Sequence, residues 1–156
     1  MMICFSRIDD RLIHGQVVTT WVNLHRIEQI IVLNDAVAAD PTQKQILTMA
    51  APQGIKVVAF GIEKFGEVLQ KTQITRRTML LFTNSIDVLR TVELGVNIDK
   101  LNVGGMRYQA GREQLSKAVS VTQEEREAFK ALLDKGIEVT VQMVPNDEKL
   151  DLREII

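Results

Sequence analysis

Hydrophobic positions along the chain fall into two alternating rhythms. Short apolar runs at Met2–Ile8, Gln29–Leu33, Lys56–Phe60, Met79–Thr83, Leu101–Val103 and Ile137–Val144 have the length of β-strands, and several are rich in Val and Ile. Between them the apolar residues recur at helical spacing. Val17, Val18, Trp21 and Leu24 share one face, as do Ile62, Phe65 and Leu69, and later Phe129, Leu132 and Leu133. The punctuation agrees with this reading. Asp40-Pro41 supplies an N-cap and a proline for the first helical position. Thr122 and Glu125 have the spacing of a capping box, and Gly136 is placed to end the helix they start. Strand and helix alternating from end to end predict an α/β fold: a mainly parallel open sheet of six or seven strands with helices on both faces. The rhythm weakens around Gly104, Gly105 and Gly111, where a loop is expected, followed by an extra edge strand near Lys117–Val121. No repeat or linker interrupts residues 1–156, which read as a single domain.

Composition narrows the function classes. The chain has 156 residues, 46% of them hydrophobic, enough for a core without metal or disulfide staples. Its formal net charge of −1, with no block of like charges, argues against a nucleic-acid partner. Cys4 is the only cysteine and lies in an apolar run, so it is expected to be a buried thiol; neither an internal disulfide nor a cysteine-based zinc site can form. The N-terminus lacks the basic and apolar regions of a signal peptide, and no apolar run approaches the roughly 18 residues of a membrane span. A cytoplasmic protein is expected.

In open α/β sheets, ligands bind beyond the carboxyl ends of the strands. Asn34-Asp35, Gly61 and Asn84-Ser85 lie at such ends, but the densest chemistry follows the first strand. There Arg7-Ile8-Asp9-Asp10-Arg11-Leu12-Ile13-His14-Gly15-Gln16 places two arginines, two aspartates and a histidine in ten residues. His14 stands just before a helix whose first residues, Gly15 and Gln16, offer free backbone N–H groups and the positive end of the helix dipole to an anion such as phosphate. Arg7 and Arg11 bring two guanidinium groups suited to phosphoryl oxygens. A neutral imidazole is a competent nucleophile toward phosphorus, and nearby arginines favour the neutral form. Asp9 or Asp10 could hold the second imidazole nitrogen or pin an arginine; the sequence does not divide those tasks. The plainer reading is a helix-start histidine beside a loop ion-pair network.

Other features have structural explanations. His25, at the far end of the same helix, suits a residue that favours the C-terminal dipole. Its separation from His14 is not that of helical zinc ligands, and no metal site is expected. Trp21 is assigned to the core over a sugar-stacking platform. Gly104, Gly105 and Gly111 do not form a dinucleotide-binding pattern and are read as permitting a tight turn, with close approach to the first loop as the other reading. Asn34, Asp35, Asn84 and Ser85 read first as helix caps, with Asp35 and Ser85 also kept as outer supports of a site. Arg76-Arg77 and Arg107 are solvated surface, or else a basic rim for a docking partner.

RIDDRLIHGQV, with Trp21 after it, resembles the active-site segment of IIB components of the mannose/fructose/sorbose class of the bacterial sugar phosphotransferase system. The likeness continues in order through IIVLNDAVAADPTQK, LLFTNSIDVLRTVELGV, LNVGGM and KAVSV. The resemblance implies that His14 accepts a phosphoryl group on its Nδ1 (pros) nitrogen from a IIA phosphohistidine. It implies onward transfer to a mannose, fructose, sorbose or N-acetylhexosamine sugar carried by membrane IIC and IID components. Arg7, Asp9, Asp10 and Arg11 are then the loop partners of His14. Histidine-to-histidine transfer has a good leaving group and needs no metal or other cofactor. The reading from a different class is a regulatory module that binds a small anion or nucleotide noncovalently, with His14 only capping its helix.

Overall fold

The Val- and Ile-rich runs become strands, and their pairing order decides where chemistry can sit. In the computed structural model, which describes residues 2–156, β1 (Ile3–Asp9) leads through α1 (Gly15–His25) to β2 (Gln29–Leu33), α2 (Asp35–Ala38), α3 (Pro41–Ala50) and β3 (Lys56–Phe60). Then follow α4 (Ile62–Lys71), β4 (Thr78–Phe82), α5 (Ser85–Glu93) and β5 (Lys100–Gly105). The rest comprises β6 (Glu113–Gln114), β7 (Ser120–Val121), α6 (Gln123–Asp134), β8 (Glu138–Val141), β9 (Leu150–Asp151) and a 3-10 turn at Leu152–Glu154. The main sheet has seven strands in the order β3-β2-β4-β1-β5-β8-β9, parallel except for β9. This is the α/β architecture that the alternation predicts.

Helices cover both faces. Val18 and Val22 of α1, Val37 of α2 and Leu47 of α3 pack with Ile30, Val32, Met79 and Leu81 on one side. Phe65 of α4, Val88 of α5 and Phe129 and Leu132 of α6 pack with Ile31, Leu33, Leu80, Phe82, Leu101 and Val103 on the other. Alternate residues of β2 and β4 thus serve opposite cores, which is why those strands read as continuous apolar runs. Asp40 caps α3 by accepting from Thr42 and Gln43 N–H, and the Thr122–Glu125 capping box is formed at α6.

Three expectations are corrected. The segment near Lys117–Val121 adds no edge to the main sheet. Its Ser120–Val121 pairs antiparallel with Glu113–Gln114, and a single bridge, Val119 to Met106, ties that ribbon to the end of β5. The true edge is β9, two residues long and without alternation, reached by the turn after Val144 in which Asp147 accepts from Val144 N–H. Leu24 does not share the buried stripe of α1; Val22 replaces it, and Leu24 is exposed. The reason is that α1 leaves part of its sheet face open. A groove of about 860 Å³ lies there, walled by Leu24, Phe5 and His25 and floored by Asn102, Thr140 and Gln142. Cys4 lines it half-buried, not sealed in the core.

Candidate phosphoacceptor site

β1 lies in mid-sheet between β4 and β5, so the loop leaving its carboxyl end meets the loop leaving β5. The β1–β5 register pairs Arg7 with Asn102 and Ile8 with Val103, then skips a residue and pairs Asp9 with Gly105. Such a bulge re-aims the side chains beside it. Beyond it the chain turns tightly: Leu12 N–H donates to the Asp9 carbonyl at 2.9 Å, and Leu12 takes a left-handed conformation with φ 59°. That conformation is unfavourable for a branched residue and is found where surrounding contacts impose it; Ile13, next in the chain, is anchored in the core.

Asp9 is the hub of the loop. Its Oδ2 accepts from His14 Nε2 at 2.8 Å and from Arg7 Nη2 at 3.0 Å. Its Oδ1 accepts from Arg11 N–H at 3.1 Å, with Arg11 Nε at 3.4 Å. The Asp9 side chain is wholly buried. Burial pushes its pKa up, but the hydrogen bonds from His14 and the Arg11 backbone, with the charge of Arg7, outweigh that and hold it below the usual carboxylate value. An ionised Asp9 on Nε2 fixes that nitrogen as the N–H donor, so that in the neutral imidazole Nδ1 carries the lone pair. His14 is the N-cap residue of α1, and its side chain does not cap the helix. The imidazole is therefore free for chemistry, and the Gly15 and Gln16 backbone stands exposed beside it.

Asp10 does a different job. Its Oδ2 accepts from Arg107 N–H at 2.8 Å, lies 3.4 Å from Arg107 Nε and 3.8 Å from Arg112 Nη1. Arg112 in turn makes a two-pronged pair with Glu125, at 2.8 and 3.1 Å, and donates to the Arg107 carbonyl at 2.7 Å. The tasks left open by the sequence are thus divided: Asp9 holds the imidazole, and Asp10 holds the loop after β5.

Arg7 is placed where it cannot grip a phosphoryl group directly. It is 0% exposed, with Nη1 donating to Asn102 Oδ1 and the Gln142 carbonyl and its guanidinium 5.4 Å from the centre of the Trp21 ring. Residue 7 points inward because it belongs to the strand, before the bulge, and not to the loop. Burial pulls its pKa down and Asp9 opposes that, but an arginine starts high enough to stay charged. Its function here is to hold Asp9. Gly104 makes the arrangement possible, since a Cβ at that position would lie 2.0 Å from Arg7 Nη2. Neither Gly104 nor Gly105 has positive φ, whereas Gly111 does, at 90°, so the turn reading holds at Gly111 and close approach explains Gly104.

The remaining candidates lie outside this cluster. Asp35 Oδ1 accepts from Ile62 N–H, starting α4, and its Oδ2 pairs with Arg90 at 2.9 Å; those contacts lower its pKa. Ser85 is buried and donates to the Glu125 carbonyl at 2.7 Å. Asn34 and Asn84 cap α2 and α5. Arg76-Arg77 precedes β4, at the opposite end of the parallel sheet from His14, and Arg77 donates to the His25 carbonyl at the end of α1 at 2.8 Å. Arg77, not His25, satisfies that helix end. His25 instead stacks on Phe5, 4.3 Å between ring centres, and burial followed by the charge of Arg77 lowers its pKa, so it favours the neutral form. Trp21 is core, 3% exposed, with Nε1 donating to the Met143 carbonyl. Sequence reasoning passed over Asn102, Gln142 and Arg112; their only local signal was a polar residue within or just beyond an apolar strand, or beside a glycine.

Residues 3–156 match the family described as PTS system sorbose subfamily IIB component. The chain belongs to this IIB family. Family members carry the same fold: the IIBSor domain of the sorbose permease from Klebsiella pneumoniae superposes with a TM-score of 0.93 at 40% identity, over 99% of this chain and 95% of that one. The fructose-specific EIIB component of Bacillus subtilis is 38% identical over the whole chain and 96% of its own length. The mannose-specific EIIAB component of Escherichia coli K12 is 45% identical across all of this chain, which spans only 49% of that relative. IIB components are phosphotransferases of sugar transport as a class. Among the described residues, no helix is long and apolar enough to cross a membrane.

Proposed function

We propose that this IIB component is a cytoplasmic phosphocarrier whose covalent intermediate is a phosphate on Nδ1 of His14. The Asp9–His14 Nε2 hydrogen bond carries this reading, because it leaves Nδ1 as the nucleophilic nitrogen. In the first transfer, the Nδ1 lone pair forms the new N–P bond while the N–P bond of a IIA phosphohistidine breaks, and its electron pair stays with the departing imidazole. In the second, a sugar hydroxyl forms an O–P bond, the His14 N–P bond breaks, and the hydroxyl proton is taken up by the freed imidazole. Arg11, half-exposed above Asp9, and the backbone N–H groups of Gly15 and Gln16 stabilise the transferred charge.

The sugar belongs to the mannose, fructose, sorbose or N-acetylhexosamine class, in keeping with relatives specific for mannose, fructose and sorbose. It is delivered by membrane IIC and IID partners, and the donor is a phosphorylated IIA protein or domain. No step calls for a metal or other cofactor. The test is intact-protein mass spectrometry at neutral-to-basic pH after incubation with phosphoenolpyruvate, enzyme I, the histidine carrier protein and a mannose-class IIA. One phosphoryl group is expected on the wild type and none on His14→Ala, with both proteins folded. An unlabelled wild type beside demonstrably charged IIA proteins would favour the noncovalent anion-binding module instead.

A further inference from the structure

A phosphoryl group on an imidazole carries a charge of roughly −1.5 to −2, which the groups around His14 named above do not balance. The buried Arg7 charge is matched by Asp9 beneath the ring. That leaves Arg11 and about half a unit from the end of α1. A second free guanidinium is needed, and Arg7 is sealed off from the loop.

We infer that Arg107 is that second guanidinium, a catalytic residue that grips the phosphoryl oxygens on His14. This rests on the phosphocarrier reading. Four observations carry it. The Arg107 backbone is fixed to the phosphoacceptor loop by its N–H bond to Asp10, the residue between Asp9 and Arg11. The end of β5 packs directly on that loop: a Cβ at Gly105 would sit 3.7 Å from both Arg11 Nη2 and Asp9 Oδ1, two residues before Arg107. The Arg107 side chain is 65% exposed and reaches Asp10 only through Nε. Its two Nη atoms have no hydrogen-bond partner among the described residues. They form the edge of the guanidinium that matches a phosphoryl group.

Arg112 cannot take this part, because Glu125, the Arg107 carbonyl and Asp10 occupy its nitrogens and it is 11% exposed. It acts as a brace for the Arg107 backbone. Arg107 need not release Asp10 to act, because Nε and the backbone N–H can stay on the carboxylate while the Nη edge turns to the phosphate. A cation held in place before the reaction has little reorganisation left to undergo during transfer.

The experiment measures IIA-driven phosphorylation of wild type, Arg107→Ala and Arg107→Lys by rapid quench, with the 31P resonance of each phosphorylated protein recorded alone. Arg107→Ala keeps the backbone bond to Asp10, and its urea midpoint is recorded to show that it folds. The alanine variant should lose about 100-fold in the transfer rate constant, with KM for the donor moved by less than about threefold, and its phosphohistidine resonance should shift. Arg107→Lys should recover part of the rate. An alanine variant with unchanged rate constant and resonance, whether or not KM rises, overturns the inference and leaves the phosphocarrier reading intact. A wild type that takes no phosphate refutes that reading, and the inference falls with it.

Discussion

Arg7 and Gly104 depend on each other. A guanidinium is buried in mid-sheet because three oxygen acceptors, on Asn102, Gln142 and Asp9, and the Trp21 ring surround it, and because one neighbour has no side chain. Gly104→Ala should therefore destabilise the protein by about 2–4 kcal/mol, by overpacking and by disturbing a buried ion pair. Equilibrium urea unfolding would measure this; a loss within experimental error would mean that Arg7 finds another well-satisfied position. At this scale the sequence revealed the residue types but not their depth. RIDDRLIHGQ reads as one loop of charge, yet Arg7 lies below the bulge and Arg11 above it. Nothing in residues 7 to 16 signals the bulge, since Gly104 and Gly105, against which it forms, are nearly a hundred residues away. The separation of Asp9 from Asp10 was hidden for the same reason, their partners being set by which strands are neighbours.

The elements were the most legible part, because their signals are local. The Asp40-Pro41 start, the Thr122–Glu125 capping box and the glycine after α6 all form as the spacing predicts. The failures are β9 and the β6–β7 ribbon, pairs of residues too short to show alternation and defined only by a distant partner. The capping box also reaches further than its local role. Glu125 accepts from Thr122 N–H, receives both prongs of Arg112, and offers its carbonyl to Ser85, so the first turn of α6 is tied to α5 and, through the Arg112–Asp10 pair, to the loop after β1. Thr122→Ala should cost about 1 kcal/mol, as the loss of an ordinary cap does. Glu125→Ala should cost more, about 3 kcal/mol, because it also strips a nearly buried arginine of its partner. Equal losses for the two in thermal or urea unfolding would show that the Arg112 pair contributes little.

For the whole molecule, the ends of the sheet have separate roles. The carboxyl ends of β1 and β5 hold the proposed phosphoacceptor loop; toward the opposite end lie the Phe5–Trp21–His25 stack and Arg77. The stack makes stability depend on pH through His25, at the far end of α1 from His14. His25 has a lowered pKa in the folded protein, so between that value and its unfolded value near 6.5 the unfolded chain binds more protons. Its contribution is then complete above about pH 6.5 and declines as pH falls below that. The melting temperature should drop between pH 7.5 and pH 5, and His25→Phe, which preserves the stack, should reduce the drop. An unchanged pH profile in that variant would place the dependence elsewhere.

The skipped residue in the β1–β5 register has a consequence for how this chain can vary in length. Up to Ile8 and Val103 the two strands run in step; one residue later they are offset, and the offset sets Asp9 beneath the imidazole. Side chains along a strand alternate between faces, so a one-residue change in length reverses every position after it. Removing Gly104 or Gly105 would restore regular pairing and turn the end of β5 over, carrying Arg107 to the other side of the sheet. The exposed run after Arg107, from Tyr108 to Gly111, lies outside that pairing. Its tip tolerates substitution as long as Arg107 keeps Asp10 and Arg112 as partners, whereas the two glycines of β5 act as a spacer of fixed length between His14 and its surroundings.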